Sequence, residues 1–399
     1  MKLPSVIALA AILTGACGEA VTAPGACPEY CPSANLVVRD TVMRQVVVRD
    51  SSYRGYVTAD EASAMQLVWS GTTATSRGLV RFFGFTNDVA DATGALLSVV
   101  STDSLELEFT IRKRTDLSGM TLVVHRVSVA VDTSATPADL ATWFDDSTVI
   151  ATIDIPDSVT TGTVTAVVDT TAFPTFTEDS LRAAIGVEVR APEAAYVDLG
   201  TVEGASSATL LRFVQVDSSG TNVPRSDSRD AELDTYFPPS SSAPPPDALV
   251  IGGIPAARAL VRFSLPDDFV SSADVIRATL LLVPAEPVIG APGDTLLLRA
   301  EKVDADIGPK SPYVPPSTDT ATVGSAFVPV GSSDTVRIDV THIVRLWRSD
   351  PTAPRTMLLR LPPEAATIGE LRVQSSRVTA AAPALRLTYQ PLGSEGTAP

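Results

Sequence analysis

The sequence predicts an all-β fold: two tandem antiparallel β-sandwich domains of jelly-roll type, with few and short helical turns. Three observations carry this expectation. Apolar and polar residues alternate along Leu105-Glu106-Leu107-Glu108-Phe109-Thr110-Ile111-Arg112, which puts Leu105, Leu107, Phe109 and Ile111 on one face of a half-buried strand. The same parity returns in Val336, Ile338 and Val340, and in Leu385, Leu387 and Tyr389. Runs rich in Val, Thr and Ile are broken at short intervals by Pro, Gly, Ser and Asp, the residues that favour turns. Finally, a motif order recurs in the two halves. Arg77-Gly78-Leu79-Val80-Arg81-Phe82 matches Arg258-Ala259-Leu260-Val261-Arg262-Phe263, Val167-Val168-Asp169-Thr170-Thr171 matches Arg337-Ile338-Asp339-Val340-Thr341, and Leu210-Leu211-Arg212-Phe213 matches Ala384-Leu385-Arg386-Leu387. The period is too long for a solenoid, so each copy is expected to own a core.

In chain order, residues 1–16 read as a leader. Lys2 precedes an eight-residue apolar run, Val6 to Leu13, then Thr14-Gly15-Ala16-Cys17. A bilayer-spanning helix needs roughly 20 apolar residues, so this run is a signal core and not a span. The segment resembles a bacterial lipoprotein signal, with Thr14 where the pattern usually has Leu. That resemblance implies lipid attachment at Cys17, export, and membrane association through acyl chains. Gly18 stands where an inner-membrane retention signal would carry Asp, which implies the outer membrane or cell surface. Residues 17–35 form the tether. Cys27 and Cys31, four apart within it, read as a small disulfide loop in an oxidising compartment, and two cysteines without nearby histidines are too few for a closed zinc site.

The first domain is expected over 36–218, a Ser-, Asp- and Gly-rich linker over 219–228, the second domain over 229–391 and a tail over 392–399. A cut between Asp217 and Arg229 is accordingly expected to yield two fragments that fold alone. Helical turns are signalled where Thr136-Pro137-Ala138-Asp139 leads into Leu140 and Trp143, and where Thr341 precedes Ile343, Leu346 and Trp347 on one apolar face.

Charge narrows the partners. The chain carries a net charge of −16, which disfavours nucleic acid and anionic lipid surfaces as binding partners. Residues 36–218 hold 13 Lys and Arg against 24 Asp and Glu, a net of −11, whereas 229–391 hold 15 against 18, a net of −3. Only four of the 30 basic residues are lysines, so arginine is the available reader of carboxylates and phosphates.

The second copy resembles the DNRLRE-type β-sandwich domain of secreted and surface-attached bacterial proteins. The resemblance rests on Asp234-Thr235-Tyr236, Leu249-Val250-Ile251-Gly252, Arg258 to Phe263, the stretch from Asp339 to Trp347, and Ser375-Ser376 before Pro383-Ala384-Leu385. It covers 230–391, without the motif that names the family. The first copy diverges, opening with Asp50-Ser51-Ser52-Tyr53. Related domains include carbohydrate-binding modules, some for acidic polysaccharides, and structural units, so the resemblance implies either role.

Catalytic signals are sparse. The histidines number two: His125 shares strand parity with Val123 and Val127 and reads as a packed residue, and His342 opens a helical turn. No nucleophile elbow, zinc-binding HExxH or phosphate loop occurs. The pairs Asp145-Asp146, Asp267-Asp268 and Glu178-Asp179 read as solvated loop acids, although structural calcium stays open as the one cofactor. No catalytic activity is expected. Trp347 reads as a helix anchor, and the ligand-binding candidates are Tyr313 in the Pro-rich loop and the arginines Arg345 and Arg348, with Arg258 and Arg355 beside them. Two function classes remain: recognition of an extracellular glycan or matrix polymer, acidic polysaccharide in the second domain above all, or a structural, adhesive or protein-binding spacer.

Overall fold

The computed structural model describes residues 38–127, 142–168, 183–240, 242–266, 269, 272–313 and 320–391. Cys17, Cys27, Cys31, the tail, the Thr136 turn signal and the acid pairs Asp267-Asp268 and Glu178-Asp179 lie outside them. Strands β1 (Arg39–Met43) and β2 (Val47–Arg54) come first, then β3 (Ala64–Trp69), β4 (Ala74–Phe82), β5 (Asp88–Ala90) and β6 (Leu96–Arg114). Next are β7 (Thr121–Val127), β8 (Val149–Asp154), β9 (Gly162–Val168), β10 (Ala183–Arg190), β11 (Ala195–Gly200), β12 (Thr209–Ser218) and β13 (Thr221–Phe237). The second half holds β14 (Ala248–Gly252), β15 (Ala257–Phe263), β16 (Ala273–Leu282), β17 (Thr295–Lys302), β18 (Val323–Pro329) and β19 (Val336–Asp339). Helix α1 (Thr341–Ser349), β20 (Thr356–Arg360), β21 (Glu370–Gln374) and β22 (Ala384–Pro391) complete it.

The fold is all-β and antiparallel, as the alternation predicts. Leu105, Leu107, Phe109 and Ile111 are buried in β6, and Val336, Ile338, Leu385 and Leu387 are buried in β19 and β22. Strands β3 to β13 make one eleven-stranded sheet that closes on itself where β13 pairs with β4. Around the second core, a four-stranded sheet in the order β1-β22-β16-β19 packs against a seven-stranded sheet containing β2, β14, β15, β17, β18, β20 and β21. Helix α1 closes one end of that core. Trp347 is 1 % exposed with its ring centroid 5.4 Å from that of Phe263, so the helix is anchored as its apolar spacing predicts.

Apart from β5, the two halves repeat the same strand pairings. In the first, β4 pairs with β10, β10 with β7, β7 with β8, and β6 with both β9 and β12. In the second, β15 pairs with β20, β20 with β17, β17 with β18, and β16 with both β19 and β22. The opening strands, however, are exchanged. β1 and β2, which begin the first copy, pair with β22 and β15 of the second unit. β13, which begins the second copy, pairs with β12 and β4 of the first. Asp50 stands opposite Val261 and Asp234 opposite Val80, and each pairing carries a register shift at the same place, before Phe263 and before Phe82. The two aspartates also do the same work: Asp50 Oδ2 accepts from the Ser376 amide at 2.5 Å and Asp234 Oδ2 from the Val202 amide at 2.8 Å.

This exchange corrects the expected boundaries. Residues 219–228 are not a linker but the turn of a hairpin and the first half of its second strand. Ser219 and Gly220, both with positive φ (58° and 81°), form the two-residue turn between β12 and β13, the backbone geometry that a right-twisted hairpin demands. Pro224 is tolerated because this half of β13 pairs on one side only, with β12. A cut between Asp217 and Arg229 would therefore strip β1 and β2 from the second core and the β4-pairing half of β13 from the first. The two fragments are not expected to fold alone.

The units are further joined by a shared polar and apolar seam. Ala256, Ala291, Ala365 and Ile368 of the second half belong to the apolar core of the first. Across the seam, Lys113 Nζ donates to Asp294 Oδ1 at 2.5 Å, and Gln66 donates to Asp294 at 3.0 Å while its Oε1 accepts from the Ile368 amide at 3.0 Å. The buried Tyr236 hydroxyl donates to the Ala365 carbonyl.

Candidate functional site

A groove of about 830 Å³ lies on the outer face of the four-stranded sheet of the second unit. It follows from strand parity. The inward residues of these strands are apolar and fill the core, so the outward ones, alternating with them, meet solvent. Every strand of the sheet sends an arginine outward: Arg44 just past β1, Arg386 on β22, Arg277 on β16 and Arg337 on β19. Two aspartates, Asp40 and Asp339, share the groove, whose floor is small and apolar at Ala384, Leu281 and Val283.

The six charged groups are not equivalent. Arg386 clasps Asp40, Nη2 to Oδ2 at 2.5 Å, and this hydrogen bond holds the Asp40 carboxyl below its ordinary range. Arg277 and Asp339 are 3.8 Å apart. Burial pushes Asp339 up, but the Thr341 hydroxyl and amide, the latter at 3.0 Å, outweigh it and hold the carboxyl low just before α1 begins. Arg337 donates to the Thr335 carbonyl at 3.3 Å. Among the described residues, neither Arg44 nor Arg337 has an ion pair, so two cations face solvent uncompensated across the groove. Asp40 and Asp339 stand on the two outermost strands, whose backbones lie about 14 Å apart by three strand spacings, and they occupy neighbouring rows of the register.

Compared with known proteins, the chain matches no family model and no curated sequence.

The residues expected to bind ligand sit elsewhere and are engaged. Tyr313 is half-buried, bridged through its backbone to Val303, with the Arg360 guanidinium 4.9 Å and the Arg258 guanidinium 5.6 Å from its ring centroid. Cations thus occupy the aromatic face that a sugar would need. Arg258 is also paired in two hydrogen bonds with Glu364, at 2.6 and 2.7 Å. Arg345 donates to the carbonyls of Val275 and Ile276 at 2.7 and 3.2 Å, at the bulge where β16 slips register against β22. Arg348 pairs with Asp274 at 2.9 Å and Arg355 donates to the Leu265 carbonyl at 3.3 Å. These arginines fasten α1 and its surroundings to the sheet. Sequence reasoning missed the groove because its cations are four single residues on strands distant in sequence, and because Arg44 was assigned to the other domain. The one available signal was the outward parity of Arg277, Arg337 and Arg386 on alternating strands.

His125 is fully buried, as its parity predicts. Its Nδ1 lies 3.0 Å from the Thr148 hydroxyl and its Nε2 3.6 Å from Glu188. Burial pushes the Glu188 carboxyl up, but His125 and Arg190 together hold it low, so the group reads as a buried structural network, in which the His125 Nε2 itself makes no hydrogen bond. His342 is exposed on the first turn of α1. No group of three or more His, Cys, Asp or Glu side chains suited to a metal occurs among the described residues.

Proposed function

We propose that the chain is a non-catalytic, exported lipoprotein whose second unit binds an extended acidic glycan on the outer face of its four-stranded sheet. The observation that carries this reading is the set of four arginines, one from each strand, against two aspartates that already have partners. Guanidinium groups match carboxylates in shape and charge. The surrounding chain, at −16 overall, makes this face a local exception that would align a polyanion rather than attract one everywhere.

The test is a titration of the full chain with a polyuronate and with a neutral glucan of equal length, followed by calorimetry. Saturable binding of the polyuronate alone, abolished when Arg44, Arg277, Arg337 and Arg386 are all changed to Ala, is the expected result. Equal binding of both polymers, or no effect of the four changes, would count against the reading.

Lipid attachment at Cys17 belongs to the same proposal. Cys17→Ser should move the mature protein from the membrane fraction into the soluble exported fraction, because stable anchoring needs acyl chains. A second reading, that of a rigid surface spacer, draws on the exchanged strands and the seam through Asp294 and Tyr236, which make the two units one stiff body.

A further inference from the structure

We infer that the bound polymer runs across the strands, along the row Arg44, Ala384, Leu281 and Arg337, and that Phe327 is the platform for one of its sugar rings. The inference rests on the acidic-glycan reading above and specifies its orientation and its contacts.

Pairing register sorts the outward residues into rows. Leu281 stands opposite Arg337 on one side and opposite Ala384 on the other. Arg44 follows Met43, the partner of Leu385, and so stands beside Ala384. This row has a cation at each end, a small apolar floor between them, and no carboxylate. The next row is Val42, Arg386, Thr279 and Asp339, in which the arginine is already clasped by Asp40 and the last residue is an acid. An anionic group laid there would displace one carboxylate and face another. On the first row it meets only unpaired arginine.

The distance between the ends selects a polymer. Three strand spacings put Arg44 and Arg337 about 14 Å apart at the backbone, more than a single sugar acid spans. Binding at both ends therefore joins two contacts through one molecule, and the second contact is made at high effective concentration.

Phe327 extends the row. It is 76 % exposed on β18, an edge strand of the seven-stranded sheet, and an exposed aromatic on an edge is a liability that a protein otherwise avoids. β18 turns the corner onto β19 closely, since Gly324 lies so near the Asp339 carbonyl that a Cβ has no room. The two strands are consecutive and run antiparallel around that corner. Stepping from Gly324 to Phe327 thus runs back from Asp339 toward Arg337. Ser325 lines the groove, and Phe327, two residues on and about 7 Å along, faces the same way. The ring consequently stands beyond the Arg337 end of the row, in the position to receive the apolar face of a pyranose whose acid group meets Arg337.

The experiment is calorimetric titration of the full chain and of Phe327→Ala, Arg44→Ala, Arg337→Ala and Arg277→Ala with three probes: a polyuronate oligosaccharide, the uronate monomer, and poly-aspartate as a polyanion without rings. All four side chains are exposed or at the groove surface, and thermal melts of each variant confirm that the fold is kept. The expected result is about tenfold weaker polyuronate binding for Arg44→Ala and for Arg337→Ala, corresponding to the loss of one charged contact each, and a smaller loss for Arg277→Ala. Phe327→Ala should weaken polyuronate about fivefold and leave poly-aspartate unchanged, and the monomer should bind far more weakly than the oligomer. A larger loss for Arg277→Ala than for the two row arginines, or none for Phe327→Ala, would overturn the orientation while leaving acidic-glycan binding intact. Poly-aspartate bound as tightly as polyuronate would overturn it in favour of an acidic peptide. A wild-type chain that binds no polyuronate would overturn the underlying reading itself.

Discussion

Asp198 lies in the seam between the two units, with Oδ1 buried and without a hydrogen-bond partner. Burial, and after it the negative charge of Asp294, pushes its carboxyl up from 3.8 to about 7. An unfolded chain releases that proton near pH 4, whereas the folded one holds it to about pH 7. The folded state thus binds more protons across this window, and the contribution to stability falls as pH rises through it. Asp198→Asn should therefore be about 1–3 kcal/mol more stable than wild type at pH 8 and nearly equal to it below pH 4, as read by urea denaturation at both pH values. A variant less stable at pH 8 would show that the charge is needed. Asp234, pushed up to about 7 by burial, with the charge of Glu203 adding to it against the Val202 amide, adds a second decline of the same sign in both proteins. None of this was legible in the sequence, where Asp198 and Asp234 are two acids among 46. What was legible is the fate of residues whose parity decides burial: His125 on the face of β7 that it shares with Val127 and that Trp143 and Phe144 cover, and Trp347 four residues after Ile343. Trp347→Ala is expected to cost about 3–5 kcal/mol, measured by the same denaturation, because it empties the contact with Phe263.

Strand identity was readable wherever one face is apolar and the other polar, as in β6, β16, β19 and β22. It was unreadable in β13, whose first half is polar on both faces and carries Pro224, so that Ser219-Gly220 looked like the start of a linker instead of a turn. Nor can local pattern say which partner an opening strand takes. β1 and β2 would satisfy the β12 and β4 edges of their own copy, but β13 is tied to β12 by a two-residue turn and occupies them first. The second unit, left without an opening strand, receives β1 and β2, and the long-range pairing closes the chain. Deleting residues 38–54 should then leave the first unit folded and the second open along β22 and β15. Two signs are expected: protease cleavage confined to 248–391, and protection restored by adding a peptide of residues 38–54. Cleavage spread evenly through both units, or no rescue by the peptide, would speak against an exchanged opening strand.

At the scale of the whole molecule, the groove belongs to neither half of the sequence alone. Its Arg44 and Asp40 arrive with the exchanged strand, and its other charges come from the second copy. That explains why charge counted along the chain pointed to the second domain but to the wrong arginines: Arg345 and Arg348 are consumed by α1, and the cations left over are assembled only by pairing. The exposed position of the groove charges sets the salt response. Polyuronate affinity should fall about tenfold between 50 and 200 mM salt, since exposed charges are screened over about 8–10 Å near physiological ionic strength, and salt-indifferent binding would instead indicate a neutral contact. The most direct measurement of the central claim is amide hydrogen exchange of the full chain with and without a saturating polyuronate oligosaccharide. The account predicts new protection in β1, β22, β16 and β19 and in β18 around Phe327, with the eleven-stranded sheet unchanged. Protection confined to residues 64–237, or none anywhere at saturation, would contradict it.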